Sequence, residues 1–263
     1  MAGGSAVQKE TQMIVDPMKT VREVALSIPG ATRVFERFGI DYCCGGSKPL
    51  TEASNDAQVR IDEIIDFLES AAIGERERAS TVAGQQGENW QEATLRDLSA
   101  HIINTHHRFV KTEISRLRPL FDKVSNVHGP RHPELLELRS NFHALTQGLK
   151  TQMLNEEMEL FPYIGRMEEA VIGGEPILPA PFGSLDKRIA AMVDEHHAAG
   201  RRLRRMHESS SGYRAPAGAC TSYKTLYCAL AGFERDLRQH VHLENNILFP
   251  RAIQMEQEKR CDH

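Results

Sequence analysis

Two segments of the chain repeat one another, and that repeat limits the fold more than any other feature. Residues 155–164 read NEEMELFPYI and residues 243–253 read LENNILFPRAI. Superposing their Leu-Phe-Pro triplets sets Glu156 against Glu244, and the positions four before them are Gln152 and His240. A spacing of four puts both side chains on one helical face, roughly a turn apart. One helix can then offer two ligands to a metal pair.

The repeat sits within four long helical patterns, at about 91–122, 133–168, 184–208 and 219–257. In the first, Leu95, Leu98, Ile102, Phe109, Ile114 and Leu117 recur at helical spacing. Pro133 opens the second, and Ser184 can cap the third. The connections, centred on GPRHP, IGGEPILPAPFG and SSSGYRAPAG, are rich in turn residues. Four such helices predict an all-α protein built around a four-helix bundle at 91–258.

Upstream, residues 17–75 read as a small helical domain. TVREVALSI and ATRVFERFG are short amphipathic helices, broken at Pro29-Gly30 and stopped at Gly39. A CCGG turn follows, and VRIDEIIDFLESA is the third or fourth helix. The block is too small for much of a core. Residues 76–90 carry Gly, Ser, Gln and charge without hydrophobic period, as a linker does.

The first and third long patterns each hold a histidine doublet, His106-His107 and His196-His197. Neighbouring rings on an α-helix point about 100° apart, so one of each pair is expected to face the core. The four walls of the bundle then present His107, Gln152 with Glu156, His196, and His240 with Glu244. Imidazole with bridging carboxylate suits non-haem iron or manganese better than calcium or thiolate zinc. Any single one of 12 histidines is more often a surface or satisfied core residue, and a His-x-x-x-Glu pair arises by accident. Recurrence on all four patterns is what favours a metal. His101 is a candidate to orient a ligand, and His128 and His132 fall in a loop where solvation is the default. His143, His207, His242 and His263 are read as structural or surface residues, and Cys220 and Cys228 as small core residues. Cys261 falls in a charged tail, and the basic run at 201–206 reads as a solvated face.

A net charge of −4 gives no nucleic-acid surface, and no run of about 18 apolar residues is present to span a membrane. The leading MAGGSAVQKETQMIVD has no basic stretch followed by an apolar one, so it reads as a disordered lead rather than a secretory signal. Five cysteines, two of them adjacent at Cys43-Cys44, make a poor disulfide framework and suit a reducing cytoplasm.

From about Thr20 to Ala252 the chain resembles the repair-of-iron-centres proteins, a hemerythrin-like di-iron family. Two parts carry the likeness: LSIPGATRVFERFGIDYCCGG, similar to that family's cysteine-bearing domain, and the set EEMELFP, DEHHAAG and HVHLENNILFPRA in the bundle. The resemblance implies two iron ions held by His107, Glu156, His196, His240 and Glu244, with the two glutamates bridging. The sixth position, a histidine in the family, is Gln152 here. An amide oxygen is a weaker iron ligand than imidazole, so one iron is expected to be weakly bound.

The resemblance implies a cytoplasmic stress protein that repairs iron–sulfur clusters damaged by nitric oxide or peroxide, and the mechanism expected here is donation of iron to damaged or apo iron–sulfur proteins. Cys43 and Cys44, accessible thiols in a glycine-rich turn, would serve redox or transfer. A di-iron nitric oxide reductase and a hemerythrin-like oxygen or nitric oxide sensor are the alternatives, and they leave open whether the chain turns over as an enzyme. A homodimer is left open as well.

Overall fold

The computed structural model describes residues 15–81 and 89–261, with side chains over 15–73 and 89–259. Residues 1–14 of the expected disordered lead and 82–88 of the expected linker, with His263 and the Cys261 side chain, lie outside the described residues; Val15, at the end of that lead, is buried. Among the described residues there is no β-strand, only two isolated bridges. The chain divides into two compact units, Met1–Gln86 and Gly87–His263.

In the first unit, Thr20 and Glu23 form a reciprocal capping box that starts α1 (Val21–Ser27). Gly30, at φ 82°, turns the chain into α2 (Ala31–Phe38), and Gly39, at φ 70°, ends it in the left-handed conformation that favours glycine. A short α3 (Leu50–Asp56) precedes α4 (Ile61–Thr81), which continues into the stretch read as a linker. Val21, Val24, Phe35, Tyr42, Leu50, Ile64 and Leu68 give the unit a small core of its own.

The second unit is the bundle. Its first rod runs α5 (Leu95–His101), a π-helical turn π1 (Ile102–His107) and α6 (Arg108–His128). The second runs α7 (Glu134–Asn155), π2 (Glu156–Leu160) and α8 (Phe161–Gly173). The third is the uninterrupted α9 (Leu185–Ser209), and the fourth runs α10 (Thr221–Leu243), π3 (Glu244–Leu248) and α11 (Phe249–Cys261). The first and second rods extend beyond their expected ends at 122 and 168. Phe121, Phe142 and Phe233, with centroids 5.0 and 5.6 Å apart, join rods one, two and four in the core. Each such ring is worth about 3–5 kcal/mol against alanine.

Buried polar contacts fix how the rods register. Glu168 of α8 accepts from the backbone N–H groups of Leu95 (2.7 Å) and Arg96 (2.9 Å), satisfying two free donors at the start of α5. Arg251 of α11 donates to the carbonyls of Trp90 (2.9 Å) and Ala93 (2.6 Å). The Tyr163 hydroxyl donates to Glu256 at 3.0 Å, linking α8 to α11.

The Leu-Phe-Pro repeat now has a physical meaning. Pro162 and Pro250 carry no N–H, and their rings crowd the carbonyls four residues back. The backbone widens there, and the N–H of Phe161 reaches Glu156 O while that of Phe249 reaches Glu244 O. Each repeat therefore begins a π turn at its glutamate. Such turns are uncommon and concentrate at functional sites.

Candidate metal centre

Each donor comes from a widened turn or from the helix facing it. His107 closes π1, Glu156 opens π2 one turn after Gln152, His196 lies mid-way along α9, and Glu244 opens π3 one turn after His240. His107, Glu156, His196, His240 and Glu244 are all 0% exposed, and Gln152 is 2% exposed. One donor atom from each of His107, Glu156, His240 and Glu244 lies within 4.8 Å of the others. His107 Nε2 is 3.1 Å from His240 Nε2, and His240 Nε2 is 2.9 Å from Glu244 Oε1. His196 joins through Glu244 Oε2 at 3.1 Å and Gln152 Nε2 at 2.5 Å.

The outer ring nitrogens explain why the inner ones point inward. His107 Nδ1–H donates to Glu157 Oε1 at 2.7 Å, and Lys111 holds that carboxylate at 2.6 and 2.8 Å. His196 Nδ1–H donates to Asn245 Oδ1 at 2.7 Å. In the neutral ring each bond fixes the tautomer, so that the Nε2 lone pair faces the centre. His240 Nδ1 has no hydrogen-bond partner among the described residues. Its ring lies instead parallel to that of His106, at 5.9 Å and 6°. His106 is pinned in turn by Asp236, one turn before His240, at 3.0 Å. The phenylalanines of the repeat wall the centre: Phe161 stacks on His107 at 5.9 Å and Phe249 on His196 at 6.0 Å.

The electrostatics favour positive charge at the centre. Burial alone would push the His107 ring down, but hydrogen bonding and attraction to Glu156 and Glu244 override it and raise it to about 10. His196 is likewise pushed down by burial and pulled up to about 9, chiefly by Glu244. Burial would raise Glu244, yet His240, His107 and His196 hold it well below the usual carboxylate range. Glu156 Oε2 and Glu244 Oε2 are buried without a hydrogen bond, though imidazole nitrogens stand 3.4 and 3.1 Å away. Carboxylate oxygens without a hydrogen bond, beside imidazole nitrogens in a dry core, fit divalent cations, which would offset the buried negative charge. Imidazole with carboxylate is a donor set suited to non-haem iron.

Several expectations need correction. His106 and His107 are both buried, because π1 spreads neighbouring residues differently from an α-helix. His128 is the last residue of α6, half-buried against Tyr223, with Nε2 3.1 Å from Cys220 Sγ. Cys220 and Cys228 are exposed. Cys220 precedes α10, and Tyr223, Leu226, Tyr227 and Leu230 take the inward face, which leaves Cys228 outside. His101 packs on Trp90 at 4.2 Å and stands edge-on to His106, so it meets the centre at second hand. His242 is buried and accepts from Asn246 at 2.8 Å, and Arg201, Arg204 and Arg205 are exposed as expected of a solvated face.

In the first unit, the Cys43 thiol is 5% exposed, more enclosed than its glycine-rich turn suggests. It donates to Asp41 Oδ1 at 3.3 Å and lies 3.8 Å from Cys44 Sγ. Asp41 Oδ1 also accepts from the Cys44 backbone N–H at 2.9 Å, so one carboxylate ties both cysteines. A Cβ on Gly45 would come within 2.7 Å of the Asp41 carbonyl, which is why the turn needs glycine there.

Comparison with known proteins agrees with this geometry. Residues 98–252 match the hemerythrin HHE cation binding domain, and residues 17–72 match a domain of unknown function, DUF542. The iron-sulfur cluster repair protein YtfE of Pectobacterium carotovorum is 32% identical over 238 residues, covering 90% of this chain and 98% of that protein. The protein of the same name from Yersinia pseudotuberculosis is 31% identical over 233 residues, covering 89% and 96%. The chain belongs to the iron–sulfur cluster repair family. Both parts of that family are present, the hemerythrin domain that carries the buried cluster and the amino-terminal domain that carries Cys43-Cys44. No helix among the described residues is long and apolar enough to cross a membrane.

Proposed function

We propose that this chain is a non-haem di-iron protein that repairs iron–sulfur clusters damaged by oxidative or nitrosative stress, by donating iron. The observation that carries the reading is the meeting of three imidazoles and two carboxylates at zero exposure, in a chain alike over nearly its whole length to iron-sulfur cluster repair proteins. His107 and His240 would hold one iron and His196 with Gln152 the other, with Glu156 and Glu244 available to both. Iron, when bound, supplies an exchangeable redox-active cation.

The surrounding side chains hold and shield the donors. Glu157 and Asn245 set the tautomers of His107 and His196, and Phe161 and Phe249 keep water from their rings. Cys43 and Cys44, steadied by Asp41, act in redox or transfer. The recipients are damaged or apo iron–sulfur proteins, and the compartment is the cytoplasm.

The test is repair of a peroxide-inactivated iron–sulfur enzyme by the iron-loaded protein. Recovery of activity with matching loss of iron from the chain is expected, and replacing Cys43 and Cys44 by serine should slow it. Recovery while the chain keeps all its iron would rule out donation. Unchanged repair by the serine variant would remove the cysteines from the account.

A further inference from the structure

The two ends of the centre are built from different donors. At one end His107 and His240 face each other 3.1 Å apart, with Glu156 and Glu244 close around them. His107 is backed there by a charged partner, Glu157. A carboxylate behind an imidazole raises its basicity and its strength as a ligand. At the other end His196 is backed by a neutral amide, Asn245. Its companion is a second amide: Gln152 Nε2 donates to Glu156 Oε1 at 2.9 Å and lies 2.5 Å from His196 Nε2. The atom of that side chain suited to bind a metal is its carbonyl oxygen, and a half-turn of the amide exchanges oxygen and nitrogen within one envelope.

The phenylalanines do not separate the ends, although His106 adds a parallel ring behind His240 alone. Phe161 lies on His107 and Phe249 on His196 at nearly the same distance. The difference that bears on metal identity falls on the donors, two imidazoles at one end and an imidazole with an amide at the other.

We propose that the centre takes two kinds of cation: iron at the His107/His240 end, and at the His196/Gln152 end manganese(II) on nearly equal terms with iron(II). This deepens the metal-centre reading above and rests on it. Imidazole donors favour iron, whereas carboxylate and carbonyl oxygens suit manganese. Exchanging an imidazole for an amide oxygen removes much of the nitrogen preference from that end alone. The carboxylates serve both ends, so they do not restore it.

The test is competitive loading of the full chain. Protein stripped by chelation is given equal iron(II) and manganese(II) under anaerobic conditions and desalted. Both metals are then counted per chain, and bound manganese is read by its electron paramagnetic resonance. The native chain should hold about one iron and a substantial share of manganese in the second place. Gln152→His should lower the manganese-to-iron ratio by about tenfold, and Gln152→Leu, which has no oxygen to offer, should lose the second metal. Two irons with background manganese in the native chain would overturn the proposal, as would equal manganese in all three proteins. Failure of every form to bind either metal would instead refute the underlying reading, and the proposal with it.

Discussion

The end of the second rod and its counterpart in the fourth are the same device carrying different chemistry. Both open a π turn at a glutamate, both close it at Leu-Phe-Pro, and both lay the phenylalanine on an imidazole. One turn before the glutamate, however, the fourth rod carries His240 and the second carries Gln152. His240 is further steadied by the parallel ring of His106. The backbone turn and its phenylalanine are duplicated, and the two rods diverge at the side chain one turn before the glutamate.

The most severe way to break the comparison is at the shared glutamates. Glu244 reaches His240 at 2.9 Å, His196 at 3.1 Å and His107 at 3.9 Å. Glu244→Ala should abolish binding at both ends, measured as metal per chain after reconstitution. Glu156→Ala should do the same, and metal retained at one end in either variant would show that the ends do not share these carboxylates.

The phenylalanines test whether the scaffold is equivalent in both halves. Phe161→Ala and Phe249→Ala should each cost about 3–5 kcal/mol, read from denaturant unfolding of the stripped protein. The two losses should be alike, and a large difference would mean that only one repeat supports the core.

A smaller effect is expected at the ring that only one half possesses. His106→Ala should weaken metal binding about tenfold, while His106→Phe, which keeps a flat ring against His240, should stay near the native value. Equal weakening by both would assign the effect to the Asp236 contact rather than to stacking.

A further test is a pH effect on chelator-stripped protein. His107 and His196 are raised to about 10 and about 9 in the fold, against about 6.5 in an unfolded chain. Their contribution to stability is fully present below about 6.5 and is lost as pH rises through 9 to 10. Thermal unfolding should therefore move to lower temperature over that upper range, and His107→Ala should flatten the change. An unchanged slope in the variant would show that the loss comes from groups outside the centre.

Much of this arrangement is legible in the residues. The four rods follow from helical spacing and turn-rich connections, and Gln152, Glu156, His240 and Glu244 share a core face because four residues make about one turn. The meeting of His106 and His107 at one core was not legible, because π1 lacks the proline that marks the other two π turns. Nor do the partners behind the rings announce themselves. Glu157 and Asn245 each follow a core glutamate directly, and their roles depend on which neighbouring helix passes beside them. Cys43 illustrates the same limit: its turn reads as open, and its burial arises from the packing of the small unit around Tyr42. Local rules place a side chain on a face of its own helix, and tertiary packing decides what that face meets.

The central claim is that the buried histidine–glutamate cluster holds non-haem iron. The most direct measurement is iron per chain in anaerobically purified native protein, beside a variant carrying both His240→Ala and Glu244→Ala, with folding of each checked by circular dichroism. Iron in the native chain and none in the folded variant is the predicted result. Iron-free native protein, or the same iron in both, would contradict it.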